Sequence, residues 1–322
     1  FRINPRVAVE PAALPEFLSS ESNLIEVQSE TIKLLNPNSL AVMEFANPAA
    51  YTISEKLFRQ YPLLGESIER TWSVSLSQEI HSTNDRDIFN DTGFGFPLYE
   101  GKNIHQYDAF YSKPRFSIAE KLGRQRLLGN EADQGQKLAY QDYRLVHRRI
   151  TGAVNERSMI ACVLPPNAFC TDVAQTVREI YPYSLTLYLV AVFNSYIVDF
   201  ILRQKITNHI DMHFLYSVPV PRLSAGDPYF DAIVPRAARL TCTRPEFAAL
   251  WESVMPGHQL PEDESAARQR LRDEIDGLVA HLYGLTRDDY AHILASFPLV
   301  FPDTDAGRAR LSAALAAYEE AG

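Results

Sequence analysis

Between positions 102 and 157 the sequence gathers side chains suited to meeting a polyanion. Lys102, His105, Gln106, Tyr107, Lys113, Arg115, Arg124 and Arg126 interleave cations with an aromatic and an amide. Tyr143-Arg144, His147-Arg148-Arg149 and Asn155-Glu156-Arg157 follow them. Lys and Arg neutralise phosphates, while Arg, Gln and Asn reach base edges in the major groove. From residue types alone, the block suits a solvated charged face equally well.

Two other constellations invite chemistry. Glu79, Asp85, Asp87 and Asp91 with Lys102 have the composition of a metal-dependent nuclease site, although their spacing is loose. His209-Ile210-Asp211-Met212-His213 offers metal-ligand types, but no further ligand lies nearby, and a polar loop is the preferred reading. Gly93-Phe94-Gly95 lacks the third glycine and following helix of a phosphate loop. No Gly-x-Ser-x-Gly, His-Glu-x-x-His or paired Cys-x-x-Cys occurs. The expectation is therefore no catalytic centre and no metal site.

Charge sharpens the picture. The 322 residues carry a net charge of −9, yet residues 101–160 hold 11 Lys/Arg against 6 Asp/Glu. Residues 1–100 hold 7 against 14, and 261–322 hold 6 against 12. Because salt screens exposed charges beyond about 10 Å, this local excess matters more than the total.

The elements that must position these residues read as a mixed α/β fold. Two short apolar runs, 23–27 and 40–45, have strand character around the turn signal Asn36-Pro37-Asn38. A helix is expected over 48–61, capped by Thr52 or Ser54 and ended by Pro62. Alternation at 72–76 predicts a strand. Residues 143–165 predict two strands around a loop at 151–158, the second buried on both faces. Residues 184–205 predict one buried helix with Asp199 and Arg203 paired at i,i+4. Residues 214–221 should run extended, and helices should follow near 229–241, 245–253, 264–283 and 286–295.

Hydrophobic residues make up 46% of the chain, enough for a sizeable core. Three cysteines at irregular spacing (Cys162, Cys170, Cys242) favour a reducing, cytoplasmic setting. The chain opens Phe1-Arg2-Ile3-Asn4, with neither initiator Met nor signal pattern, and is read as a piece of a longer polypeptide. Its longest apolar stretch, from Thr186 to Phe193, is too short to span a bilayer, so no membrane partner is expected.

Four motifs in one order carry a resemblance. Leu98-Tyr99-Glu100-Gly101-Lys102-x-Ile104-His105-Gln106-Tyr107 comes first. Tyr143-Arg144-Leu145-Val146 with Asn155-Glu156-Arg157-Ser158-Met159-Ile160 and Leu164-Pro165-Pro166 follows. Next is Asn194-Ser195-x-x-x-Asp199-Phe200-x-x-Arg203-Gln204-Lys205 with Val218-Pro219-Val220-Pro221. Last is the run from Leu271 through Ala280-His281-Leu282-Tyr283-Gly284-Leu285 to Ile293-Leu294. From about Asn36 onward the chain resembles the C-terminal half of large adenine-N6 DNA methyltransferases. That group includes Eco57I-like type II restriction–modification enzymes and the methylases of BREX and DISARM phage defence. His147, Asn103, Asp211 and Met212 depart from the group's usual residues.

The resemblance implies a target-recognition role on double-stranded DNA. The Asn-Pro-Pro-Tyr motif and S-adenosylmethionine-binding domain of such enzymes have no counterpart here and would lie in an N-terminal domain of the parent. The implied organisation is a lead-in over 1–59, a mixed-sheet recognition domain over 60–225 and a helical segment over 226–322. His105, Gln106, Arg148, Asn155 and Arg157 are expected near base edges, and Lys102, Lys113, Arg115, Arg124 and Arg126 on phosphates. No cofactor is expected in this segment. Alternatives are a module docking other defence proteins, or a nuclease using Glu79, Asp85 and Lys102.

Overall fold

The computed structural model describes residues 10–21, 24–37, 40–43, 45–261 and 265–322. Phe1-Arg2-Ile3-Asn4, Asn23 and Asn38 lie outside the described residues. Among the described residues neither early apolar run forms a strand. Instead, α1 (Leu14–Ser19) and α2 (Ser29–Leu35) precede the expected helix α3 (Pro48–Gln60). Asn47, not Thr52 or Ser54, caps α3, because its side chain accepts from the Ala50 N–H at 2.9 Å. Thr52 and Ser54 instead bond back to carbonyls one turn earlier.

Short strands follow: β1 (Leu76–Ser77), β2 (Phe96–Tyr99) and β3 (Phe116–Ile118). After α4 (Glu120–Leu128) come β4 (Arg144–Arg148), β5 (Ala161–Leu164), β6 (Phe169–Cys170) and β7 (Ala174–Val177). The pair expected over 143–165 is present as β4 and β5, and every residue of β5 is buried. The strand expected over 72–76 shrinks to β1. Side chains supply its missing partners: the Tyr181 and Tyr216 hydroxyls accept from the Ser75 and Leu76 N–H groups.

The strands form two sheets, one ordered β1-β7-β4-β5 and wholly antiparallel, the other β3-β2-β6 with β2 and β6 parallel. A small apolar cluster of Ile80, Ile88, Leu98, Ile118, Tyr140 and Phe169 belongs to the second sheet.

Helices α5 (Tyr183–Phe193) and α6 (Tyr196–Arg203) replace the single helix expected over 184–205, with a 56° bend between them. The break has a local cause. Asn194 turns its amide onto Ala161, donating to its carbonyl and accepting from its N–H, both at 2.9 Å. Ser195 then caps α6 by accepting from the Val198 N–H.

Where an extended run was expected from 214, α7 (Met212–Tyr216) makes one more helical turn, and the Lys205 ammonium donates to Ser217 just beyond its end. The C-terminal part is helical as expected: α8 (Pro228–Thr241), α9 (Ala248–Val254), α10 (Ser265–Leu282) and α11 (Arg287–Ala295). A further helix, α12 (Asp305–Ala321), packs on α10. α5 packs against β4, β5 and α8, so one apolar cluster runs from Ile25 to Tyr318. The fold is mixed α/β with a helical C-terminal part. Among the described residues no single helix is long and apolar enough to cross a membrane.

Candidate nucleic-acid interface

The turn after β2 is built by a buried amide. Asn103 accepts from the Glu100 N–H at 2.7 Å and donates to Ser112 Oγ at 3.1 Å, tying the ends of the 100–113 loop together. Within it, His105 and Asp108 exchange backbone hydrogen bonds, and Tyr107 takes φ +61° between them. Arg148, at the end of β4, clamps this loop from below: Nε donates to Gly101 O at 2.7 Å and Nη2 to Ile104 O at 2.6 Å.

The His105 ring lies beside Tyr111, with centroids 4.9 Å apart. Burial, then the Arg148 and Arg272 charges, drive its pKa down to about 4. At neutral pH it is an uncharged imidazole, able both to donate and to accept.

This loop overlooks three hollows that share lining residues. The first, about 400 Å³, is lined by His105, Arg148, Asn155, Arg157, Arg272 and Asp276 among others. The second, about 230 Å³, shares His105 and Arg272 with the first and adds Arg244 and Arg268. The third, about 600 Å³, shares Phe110 and Arg244 with the second and adds Lys113 and Arg115. Along the whole track seven cations face four carboxylates on a chain of net charge −9.

The structure sorts the candidate residues. His105, Arg148, Asn155, Arg157, Lys113 and Arg115 line the track. Asn155, Lys113 and Arg115 are exposed. Gln106 also borders it but is buried, its amide donating to the Met159 and Asn194 carbonyls at 3.2 and 3.3 Å.

Arg157 is committed inward: Nε pairs with Asp199 at 2.9 Å, Nη2 donates to Asn194 O, and the guanidinium lies 4.0 Å over the Tyr196 ring. Burial opposes its charge, but Asp199 and Tyr196 outweigh burial and raise its pKa. Asp199 also takes the expected bond from Arg203, at 3.1 Å.

Lys102, Arg124 and Arg126 are absent from the linings of these three hollows. Lys102 pairs with Glu100 at 2.8 Å. Arg124 is held by Asp133 and the Gln136 carbonyl. Arg126 lies 3.4 Å from Asp85 and 3.5 Å from Asp87.

The nuclease alternative finds no assembled centre. Glu79 is buried against Arg144 rather than gathered with Asp85 and Lys102, which have the separate partners just named. No group of three or more potential metal ligands comes together among the described residues, and His209 and His213 are both exposed.

What the residue types did not reveal is the far wall. Arg268, Gln269, Arg272 and Asp276 recur one turn apart on α10, a spacing that puts them on one helix face. Arg272 is half-buried and its Nε has no hydrogen-bond partner among the described residues. Arg244 lies 4.6 Å over the Phe110 ring. The helical spacing was visible in the sequence, but nothing there told that this face closes onto the 100–113 loop.

No family model matches the sequence, and no curated protein matches it. Among solved structures the chain is similar to the Type IIL restriction–modification enzyme MmeI in complex with DNA. The TM-score there is 0.41 at 11% identity, covering 82% of this chain and 36% of that one. It is also similar to the HsdS subunit from Thermoanaerobacter tengcongensis, with a TM-score of 0.29 at 14% identity over 73% of this chain and 50% of that one. The chain thus spans half or less of the length of either structure.

Proposed function

We propose that this chain is a double-stranded DNA target-recognition module of a restriction–modification or phage-defence system, acting for an adenine-N6 DNA methyltransferase. The observation that carries the reading is the cation-rich row of hollows along the 100–113 loop on an otherwise acidic protein. A duplex is the polyanion that such a surface meets, and the acidic remainder repels it from other faces.

Within this reading the exposed Lys113 and Arg115 hold phosphates. Neutral His105, exposed Asn155 and the α10 side chains Gln269 and Arg272 stand where base edges pass. Arg148 and Arg157 act through the loops they fix, and Gln106 does the same from its buried position. Methyl transfer, with S-adenosylmethionine as donor, belongs to the separate methyltransferase domain that the sequence resemblance implies, and no step of it is assigned to these residues.

The test is selection of bound duplexes from a randomised library at low and near-physiological salt. Enrichment of a short motif containing an adenine is the expected result. Absence of both enrichment and salt-sensitive binding would overturn the reading and favour protein docking.

A further inference from the structure

We propose that Phe94 is a wedge that inserts its ring into a base-pair step of the bound duplex, an inference that rests on the DNA reading above. A lone exposed apolar side chain is ordinary on a protein surface. Phe94, 74% exposed, differs in how it is held.

Its carbonyl accepts from Asn90 Nδ2 and from Ser117 Oγ, both at 2.9 Å, and its N–H donates to Thr92 Oγ1 at 3.4 Å. The Thr92 hydroxyl in turn donates to Asn90 Oδ1, which also stands 2.7 Å from Ser117 Oγ as the alternative acceptor of its one proton. Three polar side chains are thus spent on fixing the backbone of one exposed phenylalanine. Glycines on either side take φ +81° and +99°. At Gly95 a Cβ would come within 2.2 Å of the Ile118 carbonyl oxygen, so only glycine makes this tip. Neighbouring Phe89, Phe96 and Phe116 pack into the small apolar cluster, while Phe94 alone is held out.

The setting supplies the charge that a wedge needs. Gly93 and Gly95 line the same hollow as Lys113 and Arg115. Arg86 and Arg115 both lie over the Phe116 ring, at 4.1 and 4.8 Å, so cations stand beside the tip on aromatic footing. Cations holding the phosphates, with an apolar ring fixed near them, is how apolar side chains unstack and kink a duplex.

The experiment uses duplexes recovered from the selection, with 2-aminopurine moved stepwise through the site and dyes at the two ends. The intact chain should brighten one position several-fold and shorten the end-to-end distance. Phe94→Ala should abolish both signals and weaken binding roughly tenfold, with the salt dependence unchanged because no cation is lost. Phe94→Trp should restore them. If Phe94→Ala matches the parent in brightening, bend and affinity, the wedge is overturned and the DNA reading stands. If the parent chain binds no duplex at any salt, the DNA reading fails and the wedge with it.

Discussion

Glu79 and Arg144 form a two-pronged ion pair, 2.7 and 3.1 Å between the matching oxygens and nitrogens, with the side chains only 4% and 2% exposed. The Cys170 N–H also donates to Glu79, and Arg144 donates to the Ala168 carbonyl. The pair thereby ties β4 of one sheet to β6 of the other. Burial raises the Glu79 pKa, and Arg144 with the Cys170 N–H works against that rise.

Removing one partner strands the other charge. Glu79→Ala should cost roughly 3–5 kcal/mol in urea unfolding, whereas Glu79→Leu combined with Arg144→Met should recover most of the loss. A single-variant cost below about 1 kcal/mol would show that the pair does not join the sheets.

Asp276 sets a pH dependence. Burial raises its pKa to about 7, and Arg157 and the Tyr196 N–H oppose burial only in part. A carboxyl with a raised folded-state pKa binds a proton more readily folded than unfolded. Its contribution to stability is full below the unfolded value near 3.8 and is lost as pH climbs through about 7. Asp276→Asn, compared with the parent, should flatten the stability profile across that window by up to about 1.4 kcal/mol per pH unit. Thermal unfolding from pH 4 to pH 8 measures the difference.

Gly123 tests packing against propensity. Alanine is the better helix former by about 1 kcal/mol, but a Cβ here would lie 2.3 Å from the buried Phe169 ring. Phe169 is fully buried and packed on Tyr140 with centroids 4.8 Å apart, which leaves it little room to shift. Gly123→Ala should therefore destabilise, by about 1–3 kcal/mol, with the loss read from the denaturation midpoint.

The cations should separate by their partners. Arg115→Ala and Arg244→Ala should each reduce the slope of log K against log salt by about 0.9. Arg124→Ala should leave that slope alone, since its guanidinium already holds Asp133 and the Gln136 carbonyl, and should instead loosen the 124–136 segment. Equal slopes for all three would refute the placement of the track.

Periodicity exposed what local physics controls. The α3 and α8–α11 helices, and the β4–β5 pair, were readable because apolar spacing and burial agree there. The bend at Asn194 was not, since it depends on a bond to Ala161, 33 residues earlier. The fate of the basic residues was equally hidden. Arg124, Arg144 and Arg157 look alike in sequence, yet distant carboxylates at Asp133, Glu79 and Asp199 decide that they serve the fold. The same blindness concealed the opposite wall of the track on α10, whose arginines meet the 100–113 loop only through tertiary packing.

The amide of Asn194 has one more effect. β5 ends its sheet, and the buried Ala161 N–H on that margin would otherwise have no partner. Asn194 occupies that N–H and the Ala161 carbonyl, and the Tyr107 N–H takes the same carbonyl at 3.0 Å. A helix break therefore doubles as the closure of a buried sheet margin. An Asn194→Leu chain should lose roughly 1–3 kcal/mol of stability, because it strands the Ala161 N–H away from water.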